Sequence, residues 1–278
     1  MWIVAAFITM VCFGLNNLIF KWSTGKGYSK VHIQFFFYFV AFLLSLGYGK
    51  IVGMAQFNLL TIGLGALIGI LNANGNIQMS KAFEKGPASL TSPLIGTNAV
   101  FPILSAALIF HEHITGVQWV GIVLMLGSAI VIQYSPNAGG NIQYSSWIIR
   151  IILAIFSFGA LGILMKTSSY LHFDSLNTLI SMYGGGSIYL AINSLIGKEK
   201  WVLREANTGA LVGLISVIGY SSYFFALNTG TASIVFPIVS LNCLIVVLGG
   251  CWVFKEKVKR YQLFGVVAAV LGIVFTKI

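Results

Sequence analysis

A set of ten residues recurs 144 positions further along the chain with every spacing kept, and this duplication constrains the fold more than any other feature. Ala82, Gly86, Ala88, Ser89, Pro93, Asn98, Phe110, Glu112, Gln118 and Gly121 return as Ala226, Gly230, Ala232, Ser233, Pro237, Asn242, Phe254, Glu256, Gln262 and Gly265. Ala66, Leu67 and Gly69 likewise return as Ala210, Leu211 and Gly213. Matching at one offset without a gap points to a fold made by doubling. The equivalent halves must then bury against each other or against a common solvent.

That solvent is lipid. Apolar residues make up 58% of the chain, charged residues 8%, and the mean hydropathy is +0.92. A soluble domain carries about a quarter charged residues, which this chain cannot supply. Its net charge of +10 comes from Lys and Arg in short loops, where basic residues report membrane orientation. No nucleic-acid partner is expected; the expected partners are the lipid bilayer and a small-molecule substrate. The sequence leaves the oligomeric state open, and a monomer is compatible with it. Cys12, Cys243 and Cys251 lie in apolar runs without metal-ligand or disulfide spacing. The apolar start, Met1 to Phe20, lacks a basic leader and a cleavage site, so it reads as a retained first span.

Stretches of roughly 20 apolar residues predict ten membrane-spanning helices. They fall at 2–21, 31–52, 59–81, 88–110, 117–134, 146–166, 174–196, 208–228, 231–253 and 260–277. The expected fold class is an all-α membrane protein of two five-helix repeats, 1–135 and 146–278, joined by the polar linker 136–145. An odd number of spans per repeat inserts the second upside down relative to the first. The loop charges agree, because each basic loop in one half matches a poor one in the other. On the resulting two faces, thirteen of the sixteen Lys and Arg lie on one side and three on the other. The basic face is expected in the cytoplasm, with both termini outside.

Catalysis has little to work with, and no enzyme activity, metal or cofactor is expected. The six acidic residues and four histidines all fall at span ends or in loops. His111, Glu112 and His113 look like metal ligands, but alternate residues diverge and no third ligand is evident. Glu112 and Glu256 read as acids that satisfy the first N–H groups of the following span, with a gating salt bridge as the alternative for the lysines around Glu256. Lys21 and Lys166, equivalent at an offset of 145, read as residues that snorkel to the interface.

At mid-depth the chain carries amides, hydroxyls and rings. Buried amides in hydrocarbon need partners, so they should face the bundle interior or a wet cavity. The expected solute-binding set is Asn16, Asn17, Asn72, Asn76, Asn98, Tyr183, Tyr220, Tyr223 and Asn242. Asn98 and Asn242 are repeat-equivalent and are expected to face each other near the solute. Interhelical bonding without a solute is the competing role for each amide alone. Pro93, Pro102 and Pro237 are expected to interrupt spans 4 and 9, with Pro93 and Pro237 as equivalent hinge or kink positions.

The pattern A-x-x-x-G-x-A-S-x-x-x-P, followed by F-x-E-x-x-x-x-x-Q-x-x-G, is carried twice, from Ala82 to Gly121 and from Ala226 to Gly265. In this the chain resembles the EamA branch of the drug/metabolite transporter superfamily. The resemblance implies secondary transport by alternating access, with a central cavity between the halves. It also implies cytoplasmic termini, against the charge count. Combined with the absence of a mid-depth carboxylate, it leads to the expectation of a cell-membrane carrier for a small neutral or zwitterionic metabolite. An amino-acid-like solute and export are the first choices. A sugar or nucleotide-sugar carrier, or a non-transporting multi-pass protein, are the alternatives.

Overall fold

The computed structural model describes residues 1–53, 58–85, 91, 94–134, 144–197, 202–253 and 259–276. Among these residues every regular element is a helix. The helices are α1 (Trp2–Gly25), α2 (Lys30–Val52), α3 (Leu59–Lys85), α4 (Val100–Leu108), α5 (Gly116–Gln133) and α6 (Tyr144–Tyr170). They continue as α7 (Ser175–Gly197), α8 (Leu203–Thr229), α9 (Ala232–Ser240), α10 (Asn242–Val253) and α11 (Arg260–Phe275). A 3₁₀ turn, Thr97–Ala99, leads into α4. Backbone groups in lipid have no water to bond, so an apolar run settles as helix.

Among the described residues eight segments are long and apolar enough to cross a membrane, with Ala232–Val253 counted as one. The remaining two expected spans are represented by shorter apolar helices, Leu94–Leu108 and Arg260–Phe275. Large apolar side chains such as Phe156, Ile188, Leu195 and Phe264 are exposed around the outside, as a lipid-facing surface requires.

The most extensive packing joins helices of opposite halves. α3 packs on α6 and α7, α8 on α1 and α2, α2 on α7, and α5 on α11. Neighbours within one half, such as α2 and α3, touch far less. The division at the linker is therefore one of sequence, while the packing runs across it.

Glycines set the register of these seams. A β-carbon on Gly65 would lie 2.6 Å from Ser181 Cβ and 2.7 Å from the Thr178 carbonyl oxygen. One on Gly209 would lie 2.6 Å from Phe36 Cβ and 2.5 Å from the Ile33 carbonyl oxygen. These are the same contacts shifted by 144 residues in α3 and α8, and by 145 in α2 and α7. One turn on, Gly69 meets the backbone of Met182 and Gly186, and Gly213 that of Phe37 and Ala41. Both pairs of helices run parallel, since contacts rise together in number. α5 and α11 run antiparallel: Gly121 meets Gly272 and Thr276, while Gly265 meets Ser128 and Ile132. Without a hydrophobic drive between helices in lipid, such close approach is what holds them together. Gly69→Ala is expected to destabilise by roughly 1–3 kcal/mol, because its methyl would strike a carbonyl that cannot rotate away. Gly63→Ala, which meets nothing within 4 Å, is expected to leave the unfolding temperature in detergent unchanged.

These directions define two ends. The terminal face carries the start of α1, the end of α11 and the turn after α4; the linker face carries the ends of α1, α3 and α5. Span 9 breaks at Leu241, between α9 and α10. The expected kink at Pro237 thus takes the form of an interruption one turn later. Pro237 itself lies inside α9 and deprives the Ser233 carbonyl of its helical donor. Pro102 does not interrupt span 4: it sits in the first turn of α4, where a missing N–H costs little. Pro93 lies outside the described residues.

Candidate functional site

A cavity of about 270 Å³ lies between the halves, lined from α1, α2, α3, α4 and the turn before it, α5, α6, α8, α9 and α10. Eight of the nine expected binding residues line it: Asn16, Asn17, Asn72, Asn76, Asn98, Tyr220, Tyr223 and Asn242. The cavity reaches from mid-depth towards the linker face, where Gln133, the last residue of α5, forms part of its wall. No Asp, Glu, Lys, Arg or His lines it among the described residues.

Tyr183 is the exception. It is fully buried behind the cavity wall, its ring 6.0 Å from that of Tyr38 and 6.1 Å from that of Tyr220. The aromatic run of α2 takes it into the seam with α7, where it packs.

The run Asn72 to Asn76 divides its amides between two tasks. Asn72 donates to the Tyr220 hydroxyl at 2.6 Å. Asn74 turns away, donating to Ser157 at 2.9 Å and accepting from Tyr189 and Gln78, each at 3.1 Å. Arg150 extends that network by donating to Gln78 at 2.8 Å. Asn76 lines the cavity and makes no side-chain hydrogen bond among the described residues. Asn16 donates to Ser216 at 2.8 Å, and Asn17 to Asn242 Oδ1 at 3.1 Å.

Asn98 and Asn242 both sit at helix breaks, Asn98 in the 3₁₀ turn and Asn242 at the start of α10. Each donates to the carbonyl three residues back, Ile95 at 2.6 Å and Val239 at 2.9 Å. They share one cavity without bonding to each other.

Sequence reasoning missed Gln133, Ser216 and the rings of Phe13, Phe37, Phe158 and Phe236, which also line the cavity. Ser216 could have been found as the repeat counterpart of Asn72. Nothing in an apolar helix distinguishes a phenylalanine facing the cavity from one facing lipid.

On the terminal side of the cavity a charged lock joins the halves. After α4 the chain turns at His111, whose φ of +52° lies in the left-handed region, and Glu112 enters the interface. Glu112 Oε1 meets Lys166 Nζ at 2.7 Å and the Ala232 N–H at 3.0 Å. Its Oε2 accepts from the Ser233 N–H at 2.9 Å and hydroxyl at 2.8 Å. Two sequence expectations are corrected here. Glu112 caps α9 of the opposite half, because the following span is already capped by Thr115 and Gln118. Lys166 does not snorkel outward but lies buried on Glu112, with its ammonium 5.8 Å from the Phe110 ring.

Three of the ten repeated positions thereby acquire a use in the first half. Phe covers the lysine, Glu joins the halves, and Gln caps the next helix, as Gln262 also does by accepting from Lys259 N–H at 3.0 Å. Burial pushes the Glu112 carboxyl up, but the hydrogen bonds from Lys166 and Ser233 outweigh it and hold the pKa below the ordinary value. Glu256 and its neighbouring lysines at 255 and 257 lie outside the described residues.

A second tie crosses the halves at the linker face. His32 Nδ1 lies 2.9 Å from Glu205 Oε2, and Glu205 Oε1 accepts from the Ser29 N–H at 2.8 Å. Both residues stand at helix starts, as the sequence indicates, yet both are buried. Among the described residues no three His, Cys, Asp or Glu gather as metal ligands would.

A sequence profile of the EamA-like transporter family matches the chain twice, over residues 1–134 and 145–278. An uncharacterized protein of Haemophilus influenzae is 22% identical over 209 residues, 74% of this chain and 72% of that one. The inner membrane transporter YedA of Escherichia coli K12, described as uncharacterized, is 25% identical over 221 residues, 74% and 70% of the two chains. A protein of Listeria innocua described as a putative sugar uptake protein is 24% identical over 232 residues, 78% of each. Among solved structures, one crystal structure superposes with a TM-score of 0.83 over 99% of this chain and 98% of its own, at 10% identity. That likeness concerns the fold alone.

Proposed function

The chain belongs to the EamA-like transporter family of multi-pass membrane proteins, and we propose that it carries a small neutral or zwitterionic metabolite by alternating access. The observation that carries this reading is a cavity between the halves lined by amides and rings and, among the described residues, by no acid or base. A buried charge without a partner is costly, so an uncharged wall favours a solute with no net charge. An amino-acid-like solute has a head that such amides can satisfy.

The mechanism we assign rests on two inverted five-helix repeats, 1–135 and 146–278. The seams support it: the contacts of α3 with α7 recur between α8 and α2, and α5 with α11 maps onto itself when the halves exchange. Rocking of one half on the other would then expose a fixed midplane site to each side in turn. The breaks at Thr97–Ala99 and Leu241 are the hinge positions in this reading, beside the expected pair Pro93 and Pro237. We assign the linker face to the cytoplasm from its excess of Lys and Arg. The cavity then loads from inside, which accords with export.

A sugar carrier is the second reading, supported by the printed name of the Listeria innocua relative. A nucleotide sugar fits poorly, because among the described residues no cation lines the cavity for its phosphates. In proteoliposomes preloaded with unlabelled leucine, saturable counterflow of labelled leucine is expected. Flux that is absent or non-saturable across a panel of neutral and zwitterionic solutes would overturn carrier function. A C-terminal tag reached by an impermeant label on intact cells supports the orientation, and a tag reached only after lysis reverses it.

A further inference from the structure

A polar network runs along the side of α3 that faces away from the cavity. Successive residues of a helix turn by about 100°, so Asn74 points opposite to Asn72 and Asn76, which line the cavity. There Asn74 donates to Ser157 of α6 and accepts from Tyr189 of α7 and from Gln78. These bonds place it in the crevice between α6 and α7, which both pack on α3 but scarcely touch each other. Asn74, Gln78, Arg150 and Tyr189 are each partly exposed, and none of them lines the cavity. Their exposure is therefore to the lipid side, where polar and charged side chains are costly and mark a function.

The amides largely satisfy one another, whereas Arg150 has donors to spare. Among the described residues its guanidinium makes one hydrogen bond, to Gln78 Oε1 at 2.8 Å, and no ion pair. A guanidinium carries five N–H donors in a rigid fork. Gln78, itself held by Asn74, draws that fork inward, against the outward reach of a snorkelling arginine.

The depth of the fork follows from the helix directions. The pairs Asn74 with Ser157 and Gln78 with Arg150 run in opposite senses, so α6 starts at the linker face, where α3 ends. Arg150 stands six residues inside α6 from Tyr144, roughly 9 Å along the axis. At 27 residues α6 is about 40 Å long, enough to cross the headgroup layers as well as the hydrocarbon. Arg150 thus sits where headgroups give way to acyl chains. Lys81 and Lys85, three and seven residues beyond Gln78, continue its stripe to the linker face. Glu84 is turned off that stripe, and its charge acts on Lys30 of α2 instead.

We propose that this crevice binds an anionic phospholipid of the leaflet at the linker face. The Arg150 fork grips the phosphate, for which a guanidinium has the matching geometry. Lys81 and Lys85 attract the net negative charge of the headgroup. The acyl chains lie along Ile149, Phe156, Ile188 and Ile192, large apolar side chains that α6 and α7 leave exposed. Such a lipid bridges α3 of the first half and α6 of the second, so its binding is expected to raise the unfolding temperature.

Native mass spectrometry and thermal unfolding of the purified full-length protein test this, in detergent titrated with dioleoyl phosphatidylglycerol or dioleoyl phosphatidylcholine. Phosphatidylglycerol is expected to bind about tenfold more tightly than phosphatidylcholine, whose choline opposes the three cations. Arg150→Gln is expected to weaken phosphatidylglycerol by roughly tenfold, the worth of one charge-assisted fork, and to narrow the preference. Arg150→Lys, which keeps the charge without the fork, is expected to fall between, and it serves if the glutamine variant does not fold. Lys50→Gln, which changes an exposed lysine at the terminal end of α2, is expected to bind as the parent does. Parental affinity in Arg150→Gln would overturn the site, as would an equal loss in Lys50→Gln, which marks diffuse surface charge. Equal binding of the two lipids by the parent would overturn the anionic headgroup. Displacement of phosphatidylglycerol by inorganic phosphate at similar concentration would make the ligand a free anion and overturn the lipid.

Discussion

Glu112→Gln is expected to open the terminal face and to lower the unfolding temperature. The carboxylate holds four donors from the opposite half: the Lys166 ammonium, two N–H groups at the start of α9, and the Ser233 hydroxyl. Both partners of the ion pair are largely buried, with side-chain exposures of 11% and 13% for Lys166 and Glu112. Removing one partner of a buried pair costs roughly 3–5 kcal/mol, because the other charge stays unpaired. Glutamine keeps an oxygen for Ser233, so the lower end of that range applies. About 3 kcal/mol displaces a two-state equilibrium by roughly two orders of magnitude. A thiol-reactive, membrane-impermeant reagent should then reach a cysteine placed by Leu161→Cys from the terminal side in the variant and not in the parent. Lys166→Met combined with Glu112→Gln is expected to recover much of the stability, since no unpaired charge is left. If the double variant is as unstable as the sum of the singles, the lock is not a coupled unit.

The pH dependence follows from the direction of the shift. A carboxyl whose folded pKa is depressed contributes stability above its unfolded value and loses it only as pH falls through the folded one. Glu112 is depressed, so its contribution is expected to be constant from about pH 8 to about pH 5 and to fade in more acidic solution. The difference in unfolding temperature between parent and Glu112→Gln across that range measures it.

Asn98→Leu and Asn242→Leu are each expected to abolish transport without loss of membrane insertion. Both amides close a helix break with a bond to their own backbone, and both present an oxygen to the cavity side. Leucine removes the bond to the backbone carbonyl and the acceptor together. An unsatisfied buried polar group costs about 1–3 kcal/mol, which is up to roughly a hundredfold in solute affinity. Asn242→Leu also removes the acceptor of the Asn17 amide, but Asn17 is exposed and can bond water instead, so the two variants should lose stability about equally. Solute-driven uptake at the parental rate by either variant would remove that asparagine from the site.

The membrane class, the duplication and most of the cavity amides were readable because each has a local signature. Apolar length marks a span, a repeated offset marks equivalence, and an asparagine in hydrocarbon needs a partner. Faces were not readable. Core and lipid are equally apolar here, so no stripe tells which side of α7 meets α2, and Tyr183, expected at the cavity, packs in the seam. The destination of Glu112 was hidden for a different reason. Its partners, Lys166 and the start of α9, are 54 and 120 residues away, and a local capping rule looks only to the next helix.

The packing of α3 on α6 and α7, and of α8 on α1 and α2, has a consequence for synthesis. The first five helices leave the ribosome with their glycine seams facing partners that have not yet been made. Gly65 and Gly69 must wait for α7, and the α2 backbone that receives Gly209 and Gly213 must wait for α8. Until then the first half is a set of inserted helices in lipid without a core of its own. Assembly therefore belongs to the last stage of translation, and premature termination after the linker leaves a product with nothing to fold against.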